Sequence, residues 1–209
     1  FWSCTFATAQ EKRALTHQDY DRWETVSSEK ISKSGQWIGY TVNPQEGDGR
    51  LEIASHQNPD QQFLIPRVSQ WTFSNNSQFA IGKIIPQADT VRSLKLKKKK
   101  ADDMPKDSVF IMNLTTGELE KLARVKSYSL PGKEGNWMAV HFEKDLPKKG
   151  EKKENGDSTK VNEPKPEKPK KTDGSKLLVK ELTGTQIFEF DRVKSFGFSE
   201  KGDFLYYTK

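Results

Sequence analysis

Arg67-Val68-Ser69-Gln70-Trp71-Thr72-Phe73 decides the reading of the fold, because its pattern, Arg-Val-x-x-aromatic-x-apolar, occurs twice more in the chain. The other copies are Arg124-Val125-Lys126-Ser127-Tyr128-Ser129-Leu130 and Arg192-Val193-Lys194-Ser195-Phe196-Gly197-Phe198. Eight or nine residues beyond each aromatic an apolar segment begins, at Phe79, Trp137 and Phe204. A weaker copy precedes them, where Val26-Ser27 leads through Ile31-Ser32 to Trp37-Ile38-Gly39-Tyr40. Self-similarity of this kind marks a repeat architecture.

Trp37, Phe79, Trp137 and Phe204 are separated by 42, 58 and 67 residues. The first spacing matches one four-stranded propeller blade of about 40–45 residues. The longer two exceed it by 16 and 25 residues, and each contains a Lys-rich stretch. Within each unit a first strand alternates, as in Trp71-Thr72-Phe73, and puts its large side chains on one face. Turns rich in Ser, Gly, Asn and Asp follow, at Ser32–Gly35, Ser74–Ser77 and Ser199–Asp203. The second strand is the most apolar, as a strand buried on both faces should be. Third strands are expected at Arg50–Ala54, Ser108–Met112 and Lys176–Lys180, with partners at Gln62–Ile65, Leu119–Leu122 and Gln186–Phe190.

The fold class is therefore all-β, a β-propeller fragment of about three and a half four-stranded antiparallel blades. A sheet with two apolar faces needs a neighbour on each side, and propellers close with about four to eight blades. The chain is accordingly expected to be cut short after the second strand of its fourth unit. A β-sandwich would account for the strands but not for the repeated phrase.

The net charge of +6, from 35 Lys and Arg against 29 Asp and Glu, is local. Residues 92–107 hold seven basic and three acidic side chains, and residues 147–176 hold ten and six. These inserts carry +8 together, so the remainder is slightly acidic. Lys95-Leu96-Lys97-Lys98-Lys99-Lys100 could attract phosphate by counterion release. Asp102, Asp103 and Asp107 follow at once and no aromatic is interleaved for base stacking, so a solvated loop is expected and nucleic acid is not a predicted partner. The second insert, with four Pro and Val161 as its one internal aliphatic residue, cannot bury enough apolar area to offset its ordering entropy.

At the N-terminus, Phe1-Trp2-Ser3-Cys4-Thr5-Phe6 followed by Ala7-Thr8-Ala9 reads as a signal-peptide remnant over residues 1–9, which makes the protein exported, periplasmic or extracellular. Residues 10–28 form a lead-in segment whose Tyr20 and Trp23, at i and i+3, suit a short helix or turn packed on the first blade. Residues 29–209 are the partial propeller. Cys4 is the one cysteine, which leaves no disulfide framework, and no long apolar run is present to span a membrane.

Candidate catalytic groups are missing from the pattern. No Gly-x-Ser-x-Gly elbow occurs, His17, His56 and His141 have no metal-ligand spacing, and no Gly-rich phosphate loop precedes a helix. His141, at the end of a core strand, reads as structural. No catalytic, metal or cofactor residue is named, and the substrate-binding residues stay unknown.

Several segments go further. Leu15–Asp21, Ser32–Trp37, Val42-Asn43-Pro44-Gln45-Glu46-Gly47-Asp48-Gly49, Lys97–Ser108 and Asn113–Glu118 together resemble the N-terminal region of exported bacterial serine peptidases of the prolyl oligopeptidase family. The resemblance runs over most of the chain from Leu15 onward. It implies a propeller that caps an α/β-hydrolase domain bearing a Ser-Asp-His triad, with peptides as substrates and that domain, expected beyond Lys209, as the partner. It places no triad residue on these 209 residues. The paired glutamates with which the dipeptidyl-peptidase branch anchors a substrate amine have no counterpart here, since adjacent Glu residues do not occur. The alternative is a non-enzymatic exported propeller serving as a protein-binding scaffold; a third reading is binding of anionic polymers through Lys95–Lys100.

Overall fold

The computed structural model describes residues 14–20, 23–144 and 174–209. The signal remnant at 1–9 and nearly all of the second insert lie outside the described residues.

Blade 1 consists of β1 (Glu24–Ile31), β2 (Trp37–Pro44), β3 (Arg50–Ser55) and β4 (Gln62–Pro66), each paired antiparallel with the next. Blade 2 repeats the order with β5 (Val68–Phe73), β6 (Phe79–Ile84), β7 (Ser108–Asn113) and β8 (Leu119–Leu122). Blade 3 follows with β9 (Val125–Ser129), β10 (Trp137–Phe142), β11 (Ser175–Glu181) and β12 (Ile187–Val193), and a two-stranded half blade is made by β13 (Ser195–Phe198) and β14 (Leu205–Thr208). The expected all-β propeller architecture is what the structure shows.

The alternation of the central strands builds the core between sheets. In β6 and β7, Ala80, Ile84, Phe110 and Met112 face blade 1 and pack with Trp37, Leu51, Ile53 and Ile65. Their sequence neighbours Phe79, Ile81, Val109 and Ile111 face blade 3 and pack with Val125, Met138, Val140 and Leu178. A third cluster, Ala139, Leu177, Val179 and Val193, is covered by Phe196, Phe198 and Leu205 of the half blade. Because side chains alternate with period two, one strand supplies two interfaces.

Blade 1 departs from the expectation of two apolar faces. Its side away from blade 2 carries a polar network in which Tyr40 donates to Glu52 (3.0 Å) and Arg50 bonds both Glu52 (2.7 Å) and Glu24 (2.9 Å). The Arg50 guanidinium holds the Glu24 carboxyl below its usual range, and the bond to Glu52 raises the Tyr40 phenol. The first strand also starts at Glu24, inside the segment read as a lead-in. Ahead of it is the short helix α1 (His17–Tyr20), capped by Asp19, whose carboxylate accepts from the Thr16 amide (2.7 Å) and hydroxyl (2.8 Å). Tyr20 and Trp23 meet edge-on at 4.9 Å.

The second correction concerns the first insert. It is not simply a loop: Ala88–Leu96 forms a helix, α2, followed by a 3-10 turn at Ala101–Asp103. Asp89 in the first turn and Lys95 in the last complement the helix dipole. The N-terminal Ala88 amide is satisfied from blade 1, by Asp48 Oδ1 at 2.9 Å. No residue of the helix is buried, so it is solvated as expected.

The repeated phrase has a backbone cause. Arg67, Arg124 and Arg192 all adopt the left-handed conformation, with φ of 62°, 58° and 60°. Each marks the crossing from one blade to the next, and β5 and β9 are both bulged just after their Val. A bulge twists the first strand, an unpaired sheet edge, away from further pairing.

Candidate functional site: the inner strands and their turns

Antiparallel order places the turns between first and second strands at one end of the blades and the loops between second and third strands at the other. At the first end, three turns are built alike. Ser32, Ser74 and Ser199 accept with Oγ from the amides of Trp37, Phe79 and Phe204, at 3.0, 3.0 and 3.1 Å. Gly35, Ser77 and Gly202 supply the positive φ such turns require. Blade 3 differs, using Pro131-Gly132-Lys133-Glu134-Gly135 with no Ser.

These turns are joined into one rim. Lys33 reaches from blade 1 to Asn75 Oδ1 in blade 2 (2.7 Å) and to the Lys133 carbonyl in blade 3 (2.8 Å). Asn75 donates to the carbonyls of Pro131 (2.9 Å) and Glu134 (3.3 Å), and Ser34 N donates to Ser77 Oγ (3.0 Å). Lys133 continues the chain to Glu200, through an ion pair at 2.6 Å and a backbone bond at 3.0 Å.

Between β5 and β9 lies a cleft of about 490 Å³ lined by Gln70, Thr72, Phe73, Asn75, Lys83, Ser127, Tyr128, Ser129, Leu130, Pro131 and Gly132. The Asn75–Pro131 bond marks one of its ends, and at Lys83 the ammonium meets Asp107 at 3.0 Å. Burial pushes the Tyr128 phenol up to about 12, so it is a neutral donor at physiological pH. Hydroxyls, amides and an apolar wall of Phe73, Leu130 and Pro131 can hydrogen-bond and cover an extended polar chain. Among the described residues no group of three or more His, Cys, Asp or Glu side chains is placed to hold a metal ion.

No sequence signal singled out this set as a site. Thr72, Phe73, Tyr128 and Leu130 belong to the repeated phrase and Asn75 to a Ser-Asn turn, so their strands and turns were legible. Their convergence depends on how blades 2 and 3 are juxtaposed.

His141 takes no part in the cleft. It is buried, with Nε2 3.0 Å from the Val193 carbonyl and 2.8 Å from Ser175 Oγ, and its ring meets Phe196 edge-on at 5.6 Å. Ser175 Oγ itself donates to the Phe142 carbonyl (2.7 Å), so Nε2 carries the hydrogen. Burial lowers the His141 pKa, with Lys126 acting in the same direction and the Val193 bond and Glu143 opposing it. The unfolded chain then takes up a proton near pH ~6.5, before the folded chain does. Stability should be unaffected by this group above about pH 7 and should fall as the pH drops below ~6.5. Urea midpoints measured between pH 5 and 8 for the wild type and His141→Gln check this, and an unchanged slope in the variant would refute it.

No protein-family model and no curated protein matches the chain. Among solved structures, an uncomplexed acylaminoacyl peptidase of Pyrococcus horikoshii matches over 89% of this chain and 28% of its own, with TM-score 0.44 and 10% identity. A structure from a study of two prolyl endopeptidases matches over 88% and 26%, with TM-score 0.48 and 11% identity. The β-propeller domain of the trilobed protease from Pyrococcus furiosus matches over 83% and 59%, with TM-score 0.28 and 10% identity. The chain spans about a quarter of the length of the first two. At these values the likeness is one of chain path only.

No helix among the described residues is long and apolar enough to cross a membrane.

Proposed function

We propose that this propeller is the substrate-admitting portion of an exported serine-type peptidase of the prolyl oligopeptidase family, whose hydrolase domain lies in sequence following Lys209. The observation that carries this reading is the placement of two family-like segments in the corresponding loops of adjacent blades. The family-like residues 43–49 run from the end of the second strand of blade 1 through its loop to the third, and residues 97–108 complete the corresponding loop of blade 2 and enter its third strand. The two loops touch: Asp48 caps α2, and Glu46 lies 3.7 Å from Arg92 on that helix. Segments resembling one family thus make up one end of two neighbouring blades. The cleft between β5 and β9, with its hydroxyl and amide lining, would receive an extended peptide.

The test uses the full-length native protein. Labelling with a fluorophosphonate probe is expected to modify one serine, within a Gly-x-Ser-x-Gly sequence C-terminal to Lys209. A full-length chain without such a serine would overturn the reading and favour the scaffold alternative.

A further inference from the structure

We propose that the cleft between α2 and the junction of blades 1 and 2 is a binding site for a compact oxyanion, a carboxylate or phosphate group, held by Arg67 and Lys106. The cleft measures about 280 Å³. Arg67, Lys106, Gln87, Thr90 and Ser108 are its polar lining, Pro86 and Pro105 are among its walls, and no carboxylate lines it. Two half-buried cations, the Ser108 hydroxyl and the Gln87 amide nitrogen form a donor set without its own acceptor anion, the Thr90 hydroxyl being engaged with Gln87 Oε1 at 3.3 Å.

The partners of these groups sharpen the point. Among the described residues Arg67 has no ion pair and no side-chain hydrogen bond; its backbone alone is engaged, from N to the Gly49 carbonyl (2.7 Å) and through its carbonyl with the Ile85 amide (2.9 Å). Among the described residues Lys106 Nζ reaches only the Ala101 carbonyl, at 2.9 Å. Asp48 accepts from the Ala88 amide, and Glu46 lies 3.7 Å from Arg92. A guanidinium out of full solvent and lacking an acceptor favours an anion that brings one.

The left-handed backbone is common to the three blade-crossing arginines, so the informative comparison is between their side chains. A left-handed residue other than Gly costs about 1–2 kcal/mol, and Gly is the residue that escapes this cost. Arg67 has φ of 62° nonetheless. Its counterpart Arg124 uses its side chain, donating Nη2 to the Lys144 carbonyl at 3.0 Å. At Arg67 the blade 2 insert opens a cleft instead, and the guanidinium is left for a ligand.

The experiment is calorimetric titration of the full-length protein at low ionic strength with inorganic phosphate, with a short peptide bearing a free C-terminal carboxylate, and with the same peptide as its amide. Arg67→Gln and Lys106→Gln are compared with a variant in which Lys95 and Lys97 to Lys100 are all changed to Gln. Binding of phosphate or of the free-acid peptide is expected, weakened roughly tenfold or more by either single substitution, and changed by no more than about twofold in the five-lysine variant. Preference for phosphate would identify a phosphate ligand; preference for the free acid over the amide would identify a peptide terminus. Absence of binding to either anion, equal affinity in both single variants and the wild type, or loss confined to the five-lysine variant would overturn the site. None of these outcomes depends on peptidase activity, so the site stands or falls separately from the reading above.

Discussion

Phe110→Ala is expected to destabilise the propeller by about 3–5 kcal/mol, a large share of the ~5–15 kcal/mol typical of a folded domain. Phe110 is fully buried in β7, on the face that packs against blade 1 with Trp37, Leu51, Trp71 and Met112. Removing the ring loses its transfer energy and leaves a cavity between two sheets whose backbones are each held by a four-stranded antiparallel ladder and cannot close the gap. Collapse would have to move Gly82, the cross-strand partner of Phe110 in β6, together with Trp71, the partner of Gly82 in β5. Urea unfolding of the full-length protein, followed by tryptophan fluorescence, measures the loss. A change below about 1 kcal/mol would show that the blade 1–blade 2 interface repacks, contrary to the rigid-sheet argument.

Gly82→Val tests the same interface from the opposite direction, by adding volume. A Cβ at Gly82 would lie 2.7 Å from Phe110 Cε1 and 2.7 Å from Trp71 Cβ, and would also collide with the Gln70 carbonyl. The carbonyl cannot rotate away as a side-chain tip could, so β5 and β6 must separate. A cost of ~3 kcal/mol follows, and the two central aromatics should become more exposed. Gly39→Ala is the comparison: there the obstacle is the Trp71 ring alone, with Cη2 at 2.5 Å and Cζ2 and Cζ3 each 3.1 Å from the added carbon. Near-edge ultraviolet dichroism and urea midpoints for both variants separate a backbone obstacle from a side-chain one, with the larger loss predicted for Gly82. Equal losses would contradict the assignment of the carbonyl as the decisive contact.

Much of this architecture is legible in the chain, and the reasons are local. Phe79, Ala80, Ile81 and Val109 to Met112 alternate between two clusters because strand side chains alternate, and a four-residue apolar run is readable as a strand buried on both faces. Ser32, Ser74 and Ser199 announce their turns because each hydroxyl satisfies the amide five residues on. The missed elements have equally physical causes. The helix Ala88–Leu96 is masked by the run Lys97 to Lys100 that follows it, and its N-terminal cap comes from Asp48, forty residues earlier. The first strand begins earlier, at Glu24, than its sequence pattern suggests, because the Ser27–Lys30 bulge breaks its alternation. Phe204, aligned with the buried Trp37 and Phe79, is 74% exposed, because it falls just ahead of β14 in a half blade of two strands and not within a four-stranded sheet.

The candidate site was less legible. Gln70, Asn75, Lys83 and Tyr128 follow no spacing rule, because they come from two blades and meet only when those blades stand side by side.

By itself the sequence determined the repeat, the strand order within each blade and the turns that close the first hairpins, because these depend on alternation and on residues a few positions apart. Tertiary structure alone decided that Lys33 reaches blade 3, that Asp48 caps a helix of blade 2, and that Arg67 and Lys106 line one cleft. Such meetings depend on the rotation from one sheet to the next, a quantity set by packing across whole faces that no short stretch of chain encodes.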